Sequence, residues 1–402
     1  MIENAVARSA LVNGRIVLKD RIVDGKAVLI EGQTIFDIVD VAEIGASTLR
    51  DDVEGNYIVP GLIDIHTHGA GGHSFLDGTD EAFAAILDEH LRRGITGVLA
   101  TTSTAPLDEI IRCLERTSEW MGAARRGARL LGAHVEGPYF SPAQAGAQDP
   151  AHLRSPDDGS VDSLLAHADA IRILSYAPEL PGAVELTERL VSLGIVAAAG
   201  HSSATEDEIV PVVEAGLNHV IHLWSGQSIT VRKGPWRHPG LLEVSLASET
   251  FTGEMIADGK HLPPTLMRLA YRSFGPDRLC LISDATSGAG LPQGSSFRMG
   301  GMTYEVQDGV GMMLDRSAFA GSTTFLDGMV RVMTDQVGAP LVEAVRMASL
   351  TPARVLGMET RKGSLEPGKD ADLAVFSPNL QPLRTMLGGR WVADATKGVY
   401  DE

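Results

Sequence analysis

Two periodicities divide the chain. Up to residue 56, apolar and polar positions alternate in short β-type pieces, ALVNG, RIVLKDRIV, KAVLIEG and TIFDIVD, with turn signals at Asn13-Gly14, Asp24-Gly25 and Glu31-Gly32. This pattern predicts a small antiparallel sheet. From Ile58 onward, continuous apolar runs alternate instead with amphipathic stretches. One of these, DEAFAAILDEHLRRG, predicts a helix: Phe83, Ile86, Leu87 and Leu91 recur at helical spacing, Asp80 can cap its start, and Arg92 and Arg93 suit the last turn before Gly94.

The apolar runs number eight: YIVPGLIDIH, GVLATTST, ARLLGAHVEG, IRILSYAPE, GIVAAAGHS, NHVIHLWS, FTGEMIADG and RLCLISDAT. Eight strand-helix units predict a TIM (β/α)8 barrel, with reactive groups at the C-terminal ends of the strands. A doubly wound sheet is disfavoured because no GxGxxG loop follows the first strand. Beyond Ala353 the β-type pattern returns in ADLAVF and GGRWVAD. The two chain ends are therefore expected to pair in a small β-sandwich, residues 1–57 and 359–402, with the barrel, residues 58–358, inserted between them.

Composition narrows the class. Of 402 residues, 44% are hydrophobic and 21% charged, as in a folded globular protein, and the net charge of −18 disfavours nucleic acid or an anionic membrane as partner. There is no apolar run of 18 residues and no basic N-terminal region leading into a long apolar stretch, so a cytoplasmic location is expected. Cys113 and Cys280 lie far apart and suggest neither a disulfide framework nor a Cys-type zinc site.

The strand ends carry the chemistry. His66 and His68 stand one residue apart, so a strand places both on one face, which in a barrel is the interior. Glu136, His201, His222, Asp258 and Asp284 close other strands. Imidazoles and carboxylates together suit zinc, iron or another divalent first-row metal. Four histidines, His66, His68, His201 and His222, with Glu136 and Asp284 exceed the needs of one tetrahedral ion and suffice for two ions bridged by a carboxylate. His134, two residues before Glu136, is read as a partner behind the ligands. His73, His90, His152, His167 and His219 are read as structural or surface residues.

The motifs PGLIDIHTHG, HVEGP, AAGHS, IHLW, IADGKH, SDAT, AGS and GSLEPGKDADLAVF, taken together, resemble the amidohydrolase superfamily and, within it, the N-acetylglucosamine-6-phosphate deacetylases. The resemblance implies that Glu136, His201 and His222 bind a principal metal ion. It further implies that Glu136 can bridge to a second ion held by His66 and His68 with help from Asp284, giving one or two ions per subunit. Many superfamily members bridge with a carbamylated lysine at the end of strand four, but ILSYAPE has none there, which leaves Glu136 as the bridge. A metal lowers the pKa of bound water from about 16 toward about 7, and Asp284 is placed to take that proton and return it to the departing amine.

The resemblance also implies substrate contacts. Arg237 in RHPG matches a phosphate-binding arginine that the family draws from the neighbouring subunit, which implies a homodimer, and Lys260 adds a cation. His261 matches a substrate-binding histidine, Ala147 a backbone contact, and Phe319, Ala320 and Gly321 a loop beside the sugar. Ser225 and Gly226 stand where the family has Asn-Ala, and Gln148 and Asp149 where it has His-Asn. The expected reaction releases acetate from an N-acetylhexosamine 6-phosphate. The alternatives are hydrolysis of another N-acyl compound and a barrel without catalysis.

Overall fold

The computed structural model describes residues 8–121, 126–299, 301–394 and 398–399. Eight parallel strands, β1 (Leu62–Thr67), β2 (Ile95–Thr101), β3 (Arg129–Glu136), β4 (Ile171–Tyr176), β5 (Val196–Ala199), β6 (His219–Val220), β7 (Thr252–Ile256) and β8 (Leu279–Ile282), lie side by side in chain order. The seam between β8 and β1 is stitched just past the strand ends, where the Asp284 N–H donates to the His66 carbonyl at 2.9 Å and the His68 N–H to the Ala285 carbonyl at 2.7 Å. The expected barrel is thus present, nearly closed, and its seam runs through the histidine pair.

The run YIVPGLIDIH is two strands, not one. Tyr57–Pro60 belongs to the sheet of the chain ends, and β1 begins after Gly61. Gly61 makes the break possible: a Cβ there would sit 2.1 Å from Thr96 Oγ1, so only glycine lets the chain pass so close to β2. The helix Asp80–Leu91 buries Phe83, Ile86, Leu87 and Leu91 as the periodicity predicts. Its cap is Thr79, whose side chain accepts the Ala82 N–H, and Asp80 is the first helical residue.

The chain ends meet as expected. Leu373–Phe376 pairs antiparallel with Tyr57–Pro60 in a seven-stranded sheet, which shares a core of Leu11, Ile16, Ile30, Ile58, Leu373 and Met386 with a four-stranded sheet from the first 52 residues. That smaller sheet is mixed, not purely antiparallel, because Arg8–Val12 and Leu49–Asp52 run parallel. The outermost residues of the expected small domain, 1–7, 395–397 and 400–402, lie outside the described residues. An element that periodicity does not reveal follows β8: four short antiparallel strands, Ser296–Met299, Met302–Gln307, Val310–Met313 and Phe319–Ser322, packed around Phe297, Tyr304 and Ala320. Both cysteines are buried and unpaired. Among the described residues no helix is long and apolar enough to cross a membrane.

Candidate metal centre and active site

Glu136, at the end of β3, is the hub. Its Oε1 lies 2.9 Å from His222 Nε2, 3.2 Å from His201 Nε2 and 3.7 Å from His66 Nε2. Its Oε2 lies 3.4 Å from His68 Nε2 and accepts the side-chain N–H of Gln148 at 2.7 Å. Asp284, at the end of β8, completes the ring with Oδ1 at 3.1 Å from His68 Nε2 and 3.6 Å from His66 Nε2. All six expected ligands therefore meet at one place. His66, His68 and Asp284 form one set whose donor atoms lie within 4.8 Å of each other, and His66, Glu136 and His222 form another, while His201 joins through Glu136.

The outer nitrogens show what the inner ones are for. His201 Nδ1–H donates to the Gln144 carbonyl at 2.8 Å and His222 Nδ1–H to the Ser225 carbonyl at 3.1 Å. A carbonyl can only accept, so in both rings the proton is on Nδ1 and the lone pair of a neutral ring is on Nε2, facing a carboxylate. A lone pair against a carboxylate oxygen is repulsive unless a cation, either a ring proton or a metal ion, lies between them. His66 Nε2 and His68 Nδ1 are buried with no hydrogen-bond partner, and the donor set is imidazole and carboxylate. The residues fit a divalent metal.

Electrostatics agree. Burial opposes the imidazolium of His66, yet the charges of Glu254, Glu136 and Asp284 outweigh it and push His66 up to about 10. Burial likewise opposes ionised Glu136, but its hydrogen bonds to His201 and His222 hold the carboxyl well below the usual range. Asp284 is lowered against burial by His68 and His66. The cluster is a deep negative well that recruits positive charge.

Backbone strain sits at the same place. His201 and Asp284 have φ of 43° and 46°, left-handed values that cost a non-glycine residue of order 1–3 kcal/mol and collect at functional sites. Gly226 also takes a positive φ, and a Cβ there would lie 2.7 Å from His201 Nδ1. Gly321 is similarly confined, with a Cβ position 2.5 Å from the Asp284 carbonyl.

A cavity opens above the cluster. Its lining includes Ala147, Gln148, Ser225, Gly226, His261, Phe319 and Gly321. His261 is aimed by Asp258, whose Oδ2 accepts its Nδ1–H at 2.7 Å, and Phe319 meets the His261 ring at a centroid distance of 5.0 Å. Two expected contacts, Ala320 and Lys260, lie away from the cavity, and Arg237, expected to serve a neighbouring subunit, lies outside the cavity of its own chain. Ala320 is fully buried in the added sheet, Lys260 is exposed, and Arg237 is exposed on the hairpin of Val231–Lys233 and Trp236–His238, donating to the Pro235 carbonyl. Neither cation lines this chain's cavity. A larger cavity under the barrel is bordered by Arg361, Lys362, Asp370 and Asp372, which pair with one another, so chemistry and not size marks the site.

Two buried carboxylates escaped the sequence reading. Asp64 shares the inward face with His66 and His68 and accepts the Ser283 and His66 N–H groups at 3.2 and 3.4 Å, and burial pushes it up to about 7. Glu254, mid-strand in β7, accepts the His66 Nδ1–H at 2.7 Å and the His219 Nε2–H at 3.2 Å. A charged residue inside the apolar run FTGEMIADG was the available signal. His134 stands edge-on to His66 and bonds to the Ile65 carbonyl and Ser175 hydroxyl.

Comparison with known proteins places this geometry. Residues 57–392 match the amidohydrolase family. The chain is 32% identical to the N-acetylglucosamine-6-phosphate deacetylase of Haemophilus influenzae, over 95% of this chain and 98% of that one. It is also 32% identical to the N-acetylgalactosamine-6-phosphate deacetylase of Escherichia coli O157:H7, over 88% and 92%. A mutant N-acetyl-D-glucosamine-6-phosphate deacetylase from Mycobacterium smegmatis, solved in complex with N-acetyl-D-glucosamine-6-phosphate, superposes with a TM-score of 0.88 at 29% identity, covering 96% of this chain and 99% of that one. With its barrel, its ring of imidazoles and carboxylates and these relatives, the chain belongs to the amidohydrolase family, in the group that contains the N-acetylglucosamine-6-phosphate deacetylases.

Proposed function

We propose that this protein is a metal-dependent deacetylase that hydrolyses the acetamide of an N-acetylhexosamine 6-phosphate, foremost N-acetylglucosamine 6-phosphate, to acetate and the amino sugar phosphate. The observation that carries the reading is the Glu136 carboxylate, which offers Oε1 to His201 and His222 and Oε2 to His68 on the floor of a cavity, in a member of this family. Glu136, His201 and His222 would hold a principal ion, and His66, His68 and Asp284 a second, bridged by Glu136. The ions are zinc, iron or another first-row metal, one or two per subunit. An ion bound there acidifies water and polarises the acetamide carbonyl.

The protein's own groups do the rest. Asp284 accepts a proton as water adds to the carbonyl and returns it to the sugar nitrogen as the C–N bond breaks, so one carboxylate acts as base and then acid. His261, its Nδ1 held by Asp258, turns Nε2 toward the substrate, and Phe319 walls the same side. Ala147, Gln148, Ser225, Gly226 and Gly321 shape the rim, with Ala320 buried beneath Phe319 and Gly321 in the added sheet. Arg237 of the partner subunit would reach the phosphate in a cytoplasmic homodimer, which accounts for an arginine that stays outside its own chain's cavity. The barrel, from Leu62 onward, forms the catalytic unit, and the sheets built from both chain ends form the domain that supports it.

Acetate release measured over a panel of acetamido sugars, each with and without a 6-phosphate, tests this assignment. A second reading, a different acetamido sugar phosphate, is favoured by Gln148. Its carboxamide is engaged by Glu136 and the Thr104 N–H, and a relative of equal identity is named for the galacto epimer.

A further inference from the structure

We infer that Glu254 is a positioning residue for the second metal ion: it sets the tautomer and direction of His66 without being a ligand itself. The inference rests on the two-ion reading above and deepens it.

Glu254 is fully buried in the barrel interior. A carboxylate in such a place is costly unless its oxygens are matched, and here both are. Oε2 accepts His66 Nδ1–H at 2.7 Å and lies 3.4 Å from the His222 N–H. Oε1 accepts His219 Nε2–H at 3.2 Å, with His134 Nδ1 at 4.0 Å. His219 is anchored in turn by Thr252 Oγ1 at 2.6 Å from its Nδ1.

The consequence falls on His66. An ionised carboxylate only accepts, so in the neutral ring that a metal requires the one proton is kept on Nδ1, and Nε2 is left bare, pointing between Glu136 Oε1 at 3.7 Å and Asp284 Oδ1 at 3.6 Å. Those gaps are too long for hydrogen bonds. The gap to Asp284 Oδ1 matches two donors of one ion, since ligands at about 2.0–2.2 Å from a metal stand roughly 3–3.6 Å apart. The nitrogen has no other partner.

The rings are not held alike. His201 and His222 are oriented by backbone carbonyls, which substitution of a side chain does not remove, whereas His68 Nδ1 has no partner. The histidine pair is therefore steered by one side chain, Glu254, acting on His66. Because a charged acceptor raises the basicity of the ring it orients, loss of that charge weakens the ion at the pair and spares the other.

The test is ion binding by the full-length protein, measured by competition with a metal-buffering chelator and by the visible spectrum of the cobalt-loaded form. Wild type is expected to take two ions. Glu254→Gln, which keeps shape and an acceptor, should weaken the second about 10–100-fold and leave the first within about twofold. Glu254→Asp, which keeps the charge but withdraws it, should give a smaller loss in the same direction and covers the case in which the Gln variant does not fold. In a His66→Gln background, Glu254→Gln should change neither ion binding nor the melting temperature of the metal-free protein by more than a small amount. Unchanged second-ion affinity in Glu254→Gln overturns the inference. So does an equal loss of both ions, or an effect that persists without His66, since either marks a structural role. A wild type that binds a single ion overturns the two-ion reading itself, an outcome visible before any variant is made.

Discussion

Gln148 donates its side-chain N–H to Glu136 Oε2 at 2.7 Å while its carbonyl accepts the Thr104 N–H at 2.6 Å, so one amide ties the hub carboxylate to the loop after β2. Gln148→Ala leaves a buried N–H and a buried carboxylate oxygen short of partners. It is expected to cost about 1–3 kcal/mol of stability, read by urea unfolding of the metal-free protein, and to lower kcat/KM. A variant as stable and as active as wild type would mean that water replaces the amide without loss.

Asp284→Asn removes the proton acceptor and keeps the shape. It is expected to lower kcat by about 10²–10⁴-fold while the ion at Glu136, His201 and His222 stays bound. Turnover near wild type with one ion retained removes Asp284 from the proton transfers.

At Gly226 a Cβ would press on His201 Nδ1, which donates to the Gln144 carbonyl, and the residue has φ of 57°. Gly226→Ala is expected to cost more than about 1 kcal/mol and to loosen the principal ion by turning His201. Metal titration and thermal melting check this together. Unchanged ion affinity would show that the loop shifts away at no expense to His201.

The pH dependence of the metal-free protein has a definite sign. His66 is raised from 6.5 to about 10, so its contribution to stability is complete below 6.5 and is lost as the pH climbs through 10. Glu136 and Asp284 are lowered, so theirs is present above the ordinary carboxylate range and is lost only on strong acidification. Thermal melts of the metal-free protein should therefore fall between pH 6.5 and 10. Ion affinity should rise over the same interval as the ion displaces the His66 proton. A flat melting profile in the metal-free protein, with no proton release on metal uptake, contradicts this account of the cluster.

The site was legible where chemistry sits at strand ends. The His66–His68 alternation, Glu136 closing β3 and Asp284 closing β8 all follow from period-two geometry and a barrel whose reactive groups share one rim, and the structure brings them within a few ångströms of one another. Glu254 was missed because it lies mid-strand, where an apolar run reads as core and a single charge as noise. The sheet after β8 was missed because SFRM, MTYEVQ and FAGS are short and separated by turns, so alternation has no length over which to show. Thr79 was passed over for Asp80 because both residue types cap helices, and only the Ala82 contact decides between them. Arg237 was read only by resemblance, as a phosphate contact drawn from the neighbouring subunit, and it lies on an exposed hairpin outside its own chain's cavity.

Arg237 offers a test of that role. Arg237→Ala is expected to raise KM for a 6-phosphorylated acetamido sugar by about tenfold or more, the scale of a lost charge-assisted pair, and to leave the unphosphorylated sugar unaffected. Mixing Arg237→Ala with Asp284→Asn subunits should restore part of the activity, because some sites then combine an intact Asp284 with the intact arginine of the other chain. Equal effects on both sugars would remove the phosphate from its role.

The measurement that bears most directly on the central claim is acetate release from N-acetylglucosamine 6-phosphate by the metal-reconstituted protein, run beside the metal-stripped protein and Asp284→Asn. The account predicts stoichiometric acetate and glucosamine 6-phosphate from the reconstituted wild type, loss on stripping, recovery on adding back a divalent ion, and almost none from Asp284→Asn. Release that is equal with and without metal, or no release from any 6-phosphorylated acetamido sugar by protein carrying its full complement of ions, would contradict it.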